Sequence, residues 1–253
     1  QFYSRFCTSH KGSIATARAT NFQYIQGCVP MIVVHHLNNS RSQRILWLLE
    51  ELGVEYEVKR YERDPETMQA PAALRAIHPL GKSPVITDGE LTLAESGAIV
   101  EYLVDTYGEG RLAPATGTAE RLRFNYWLHY AEGSAMTPLL LKLVFNRVES
   151  APMPFFAKPF AKGIAGKVKG NFIEPQIIQH LNYMNSELAA TGWFVGDDFS
   201  AADVQLSFPL EAAAARGGLD QKWPNLIAFL QRIHARPAYK KALERGGEYN
   251  IIG

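Results

Sequence analysis

Residues 78–107, HPLGKSPVITDGELTLAESGAIVEYLVDTY, constrain this chain more than any other stretch. Val85–Thr87 and Leu91–Leu93 alternate apolar and polar residues around Asp88-Gly89, a dipeptide that favours a type I′ turn, so the segment predicts a tight hairpin. Pro84 opens the first strand, where its missing N–H harms no ladder, and it leaves the main chain of Ser83 free to pair with something other than protein. Glu95-Ser96 then lead into Ile99, Val100, Leu103, Val104 and Tyr107, the spacing of a helix with one buried face. The N–H groups of its first turn lack intrahelical partners and carry partial positive charge, which suits a carboxylate. An edge backbone and a helix N-terminus facing one groove fit an extended, anionic, peptide-like ligand.

Upstream, Met31–His36 reads as a short strand and Ser40 as the N-cap of a helix whose Ile45, Leu48, Leu49 and Leu52 share a face. Gly53 ends that helix, Glu57–Tyr61 gives a second strand, and Pro65 opens a weaker helix reaching about Ala76. A β-α-β unit of this length implies a parallel pair with a right-handed crossover. The order β-α-β-α-β-β-α therefore predicts an α/β, thioredoxin-like domain over residues 31–108. The Gly/Pro/Thr-rich stretch 109–118 reads as a linker, and residues 119–253 carry only helical patterns, an all-α C-terminal domain. Within it, Ser200 and Asp203 make a capping box with Asp in place of Glu, Phe199 and Val204 stand at staple positions, and Pro209 sits where it kinks the helix. The Pro-interrupted MPFFAKPF stretch is a loop or broken helix.

Bulk properties exclude more than they specify. At 47% hydrophobic content, 253 residues can bury a large core. The net charge of +1 gives no electrostatic case for nucleic acid, and no apolar run approaches the roughly 18 residues of a membrane span. Three of the 26 basic residues (Arg5, Lys11, Arg18) and none of the 25 acidic ones precede Met31, so the remainder carries a formal −2. Residues 1–30 thus resemble a mitochondrial transit segment; a dispensable or artefactual leader ahead of Met31 is the stronger expectation, with cytoplasmic location. The only cysteines, Cys7 and Cys28, fall in that extension. From Met31 on, thiol chemistry requires a sulfur brought by the ligand, and a disulfide scaffold, Cys-ligated zinc or a cysteine nucleophile is absent from the sequence.

With these residues in view, the KSP step, the Asp88-Gly89 hairpin and the AESGAIVEYL helix resemble the glutathione-binding half of cytosolic glutathione S-transferases. HHLNNSRSQRILWLLEELGVEYE resembles their first strand, catalytic turn and first helix, and FSAADVQLSFPL their capped core helix. The HxLxxSR start and Glu132-Gly133-Ser134 resemble a fungal and bacterial subgroup. The likeness spans Met31 to about Tyr239. It implies glutathione as co-substrate with no other cofactor, a small electrophile held between the domains, and a homodimer. It also implies a cis Pro84, Lys82 on the glycyl carboxylate, Ser83 main chain on the cysteinyl unit, and Glu95 and Ser96 on the γ-glutamyl end.

A bound thiol needs a donor for its anion. The candidates are Ser40, Asn39 and Arg41, with Ser40 preferred as a hydroxyl at a positive helix end; its bland alternative is a plain helix cap. A hydrogen bond to a charged acceptor is worth about 1.5–3 kcal/mol and a helix terminus about 0.3–1. At about 1.36 kcal/mol per unit, these lower a thiol pKa from roughly 8.5 by about 1.5–3 units. Other signals fail. LGKS lacks the first glycine of a phosphate loop, since residue 76 is Ala. His35 and His36 are strand neighbours pointing to opposite faces, so as a pair they hold no metal. Transfer to an electrophile and reduction of hydroperoxides both use such a thiolate; a non-catalytic glutathione-binding or interaction module is the alternative.

Overall fold

The computed structural model describes residues 31–251, so the basic extension over residues 1–30, with its targeting-like reading, lies outside the described residues. β1 (Ile32–Leu37), α1 (Ser42–Leu52), β2 (Tyr56–Tyr61), α2 (Ala72–Ile77), β3 (Val85–Asp88), β4 (Leu91–Ala94) and α3 (Ser96–Tyr107) follow the expected order. The four-stranded sheet runs β2-β1-β3-β4, with β1 and β2 parallel and β3 antiparallel to both β1 and β4. Ile45, Leu48, Leu49 and Leu52 of α1 are buried, as are Ile99, Val100, Leu103 and Val104 of α3. Tyr102 donates to the Asp88 carboxylate at 2.7 Å, and Tyr107 donates to the same oxygen, so α3 is pinned to the hairpin.

Seven further helices follow: α4 (Ala119–Tyr130), α5 (Met136–Ser150), α6 (Lys158–Val168), α7 (Glu174–Glu187), α8 (Ala201–Ala212), α9 (Pro224–Ala235) and α10 (Pro237–Gly246). Every residue of α8 is buried, so this helix is the axis of the helical half. Its entry is the expected capping box: Asp203 Oδ2 accepts the N–H and O–H of Ser200 at 2.8 and 3.0 Å, while Oδ1 accepts the Phe194 N–H at 3.0 Å. Burial pushes the Asp203 carboxyl up to about 6, against the pull of these three donors. The last helix returns to the first, where Arg236 grips Glu51 with two parallel bonds of 2.5 and 2.8 Å.

Three local expectations need correction. The hairpin loop is Gly89-Glu90, because Asp88 pairs with Leu91; only Gly89 has positive φ (57°), the pattern of a type II′ turn instead of I′. Pro65 opens no helix. Asp64 Oδ1 captures the N–H groups of Glu66 and Thr67 at 3.1 and 2.7 Å, Met68 takes φ 60°, and α2 waits until after Pro71. α1 starts at Ser42 with Arg41 in the cap position, because Asn39 turns left-handed (φ 49°) and delays the helix entry. Ser40 keeps a share of the capping role, accepting the Ser42 N–H at 3.3 Å.

The Asp203 cluster yields a stability prediction. Asp203→Asn sets an NH2 group against buried donors and should cost about 1–3 kcal/mol. A urea titration reads it as a lowered midpoint with unchanged slope; an unmoved midpoint would contradict the assigned role.

Candidate functional site

The end of β1 and the turn into α1 bring a row of hydroxyls together. Ser40, 5% exposed, shares a 2.7 Å bond with the Ser42 hydroxyl, which meets His36 Nδ1 at 2.9 Å. Burial, reinforced by the charge of Arg60, pushes His36 down to about 4, so its ring is neutral at physiological pH. Ser83 Oγ donates to the His35 carbonyl at 2.9 Å and accepts the Leu37 N–H at 3.3 Å. Its remaining capacity accepts the Ser40 O–H at 3.3 Å, a long bond for two hydroxyls. The Ser83–Pro84 bond is cis. Because the Ser83 side chain satisfies β1, its main-chain N–H and C=O have no partner among the described residues.

The N-terminus of α3 closes the other end. Glu95 occupies the cap position with φ 73°; its side chain is exposed and makes no hydrogen bond among the described residues. Ser96 is buried, accepting from Arg44 Nη2 at 3.0 Å and donating to Glu132 Oε1 at 3.4 Å. Lys82 is exposed beside Ser83 with no ion pair among the described residues.

Beneath these groups lies Arg44, 1% exposed. Its guanidinium bonds Glu132 at 2.6 Å, Ser96, and the carbonyl of Gln205 in α8. That carbonyl is free because Pro209, four residues on, has no N–H to donate. Phe208 lies 5.3 Å from the Arg44 guanidinium and 5.1 Å from that of Arg41. Arg41 Nε donates to the second Glu132 oxygen at 2.9 Å. Burial raises the Glu132 carboxyl, but the charges of Arg44 and Arg41 outweigh it and hold it below the usual carboxylate range. Burial likewise lowers Arg44, while Glu132 opposes that shift; the guanidinium stays charged.

Glu132 is aimed by a π-helical turn, Ala131–Ala135, between α4 and α5, and a second such turn, Ala213–Gly217, carries Arg216. Arg216 donates to the Ile251 carbonyl at 2.9 Å, and the Asn250 N–H donates to Asn39 Oδ1 at 2.6 Å. A small polar cavity of about 110 Å³ includes Asn39 and Gly247 but neither Ser83 nor Ser96, and is too small for a peptide-like ligand.

Of the residues singled out in the sequence, Ser40 and Ser83 meet directly, and Arg41 and Ser96 meet through Glu132. Asn39 instead engages the C-terminal segment, while Lys82 and Glu95 stand exposed without protein partners among the described residues. Sequence reasoning missed Arg44 as the organiser and gave Glu132 no chemistry. The available signal was an arginine directly ahead of the apolar run Ile45–Leu49 on the same helix.

The network predicts unequal costs for its two arginines. Arg44→Met removes the buried partner of Glu132, leaving it only Arg41 at the solvent edge, and should lower stability by about 3–5 kcal/mol. Arg41→Met, at the solvent edge, should cost under about 1 kcal/mol. Denaturant titration of both variants checks this, and equal losses would reject the ranking.

Comparison with known proteins bears on this geometry. The family "Glutathione S-transferase, N-terminal domain" matches residues 29–105, and "Glutathione S-transferase, C-terminal domain" matches residues 151–246. The chain is 37% identical to glutathione S-transferase 3 of Schizosaccharomyces pombe, over 85% of this chain and 88% of that one. It is 31% identical to glutathione S-transferase 1 of Saccharomyces cerevisiae, over 86% and 96%. Among solved structures, a glutathione S-transferase from Actinobacillus pleuropneumoniae superposes with a TM-score of 0.67 at 34% identity, covering 85% of this chain and 93% of that one. A sphingomonad glutathione S-transferase complexed with glutathione gives 0.66 at 26%, covering 85% and 98%. With the hydroxyl turn, the cis Ser83–Pro84 step and the open α3 N-terminus on one fold, the chain belongs to the glutathione S-transferase family.

Proposed function

We propose that this glutathione S-transferase holds glutathione along the Ser83 edge, ionises its thiol at the Asn39-Ser40-Arg41 turn, and adds the sulfur to a small, mostly apolar electrophile. One observation carries the reading: the Ser83 main chain, without protein partners among the described residues, lies beside the Ser40 hydroxyl. A cysteinyl unit paired with Ser83 in the manner of an extra strand brings its sulfur to Ser40. Ser40 then exchanges its long bond to Ser83 for one to the thiolate. Asn39 and Arg41 stand beside it as secondary donors.

The two ends of the ligand have complementary groups. Lys82 takes the glycyl carboxylate and Glu95 the γ-glutamyl ammonium. The Ser96 N–H at the positive end of α3 takes the γ-glutamyl carboxylate; its hydroxyl is already committed to Arg44 and Glu132. Pro84 fixes the edge. A binding set this complete argues against a non-catalytic module, and the same thiolate serves hydroperoxide reduction as a second activity. Glutathione acts as co-substrate, and no further cofactor is invoked. We assign residues 31–108 to the glutathione half, 109–118 to the linker and 119–253 to the helical half, and place the enzyme in the cytoplasm. No helix among the described residues is long and apolar enough to cross a membrane.

Two measurements test this reading. Calorimetry on Glu95→Ala should show glutathione binding weakened by about 1.5–3 kcal/mol; unchanged affinity in the folded variant would sink the site assignment. We also assign a twofold homodimer, for which light scattering should return twice the 28.2 kDa chain mass, and a monomer mass at micromolar concentrations would reject it.

A further inference from the structure

α6 and the turn that leads into it (residues 155–157) are turned outside in. Ala157, Ala161, Ala165 and Val168 form the buried or half-buried side, while Phe156, Phe160 and Ile164, four residues apart, are 63%, 74% and 63% exposed. Phe155 is 85% exposed and meets Phe156 edge-on at 5.8 Å between ring centres. A helix that serves only its own fold places small residues outward and large apolar ones inward; here the order is reversed. Concentrated exposed apolar surface of this kind marks a binding face.

Charge identifies the occupant. From Ser150 to Ile173 the chain has four lysines and no acidic residue. Lys169 is tied to Glu149 at 2.7 Å and to Asn146 at 3.1 Å. Lys158, Lys162 and Lys167 are exposed and have no acidic partner among the described residues. We infer that the Phe155–Val168 segment docks peripherally on an anionic phospholipid surface. The aromatic side chains enter the headgroup boundary and the three lysines meet lipid charge. A second copy of the chain fits less well, since a twofold contact through this patch sets lysines against lysines. The placement also suits the proposed chemistry, because apolar electrophiles concentrate in bilayers.

Co-sedimentation of the full chain with vesicles tests the inference. At low salt, phosphatidylcholine vesicles containing phosphatidylserine should retain at least about tenfold more protein than phosphatidylcholine alone, and added salt should release it. Because residues 1–30 are also basic, two variants decide the source. Phe156→Ser with Phe160→Ser, and separately Lys158→Glu with Lys162→Glu and Lys167→Glu, should each reduce binding at least about tenfold. Turnover with glutathione and a water-soluble electrophile should stay unchanged, which reports an intact fold. Absent or salt-insensitive pelleting, wild-type binding by either variant, or a dimer that falls to monomers when the phenylalanines are replaced would overturn it; the last result would assign the patch to a copy of the chain, and retention on an acidic protein without vesicle binding would assign it to a protein partner.

Discussion

The buried guanidinium of Arg44 ties the glutathione S-transferase N-terminal half to the core of the helical half. Arg44 projects from α1, and its bonds reach the N-terminus of α3, the π-helical turn after α4, and the core of α8. Taking such a charge from water is costly, and the cost is offset only where counter-charge and acceptors surround it. Glu132 supplies the charge, Ser96 one acceptor, and Pro209 frees another by leaving the Gln205 carbonyl without its helical donor. The same network fixes Ser96 at the mouth of the site and holds Arg41 beside Ser40. One side chain thus links the packing of α8 to the residues around Ser40 and Ser96.

The site we propose above this network serves a ligand that brings its own nucleophile. Between Met31 and Gly253 the sequence has no cysteine, and no tyrosine lies at the end of β1. In the proposed reading, stabilisation of the thiolate falls to hydroxyl and amide donors at a helix entrance, which act by binding the anion and need no base. Ser40 is held by Ser42 on one side, so turning its O–H toward sulfur sacrifices only the 3.3 Å contact with Ser83. On that proposal the hydroxyl row is in place before substrate arrives, which limits the reorganisation left for the reaction itself.

Much of this was legible in the residues. Periodicity located the strands and the faces of α1 and α3, and Ser200 with Asp203 announced the start of α8. The KSP step marked the edge that the unpaired Ser83 main chain provides. What escaped notice has physical causes. The π-helical turns break the 3.6-residue period, so nothing in the spacing reveals where Glu132 points. Arg44 lies on a helix buried almost all round, and its partners are separated from it by 52, 88 and 161 residues, distances over which local pattern carries no information. The turn at Asp64 shows the converse limit: one side chain capturing two N–H groups overrode a weak helical tendency.

The most direct test is the ionisation of glutathione's own thiol in the complex. Thiolate absorbance of bound glutathione followed against pH should give a pKa at least about one unit below the roughly 8.5 of an unperturbed thiol. In Ser40→Ala the titration should move back toward that value, with glutathione affinity nearly intact. A bound thiol that titrates like the free one, or a Ser40→Ala titration unmoved while Asn39→Ala shifts upward, would contradict the account and leave Ser40 as only a helix cap.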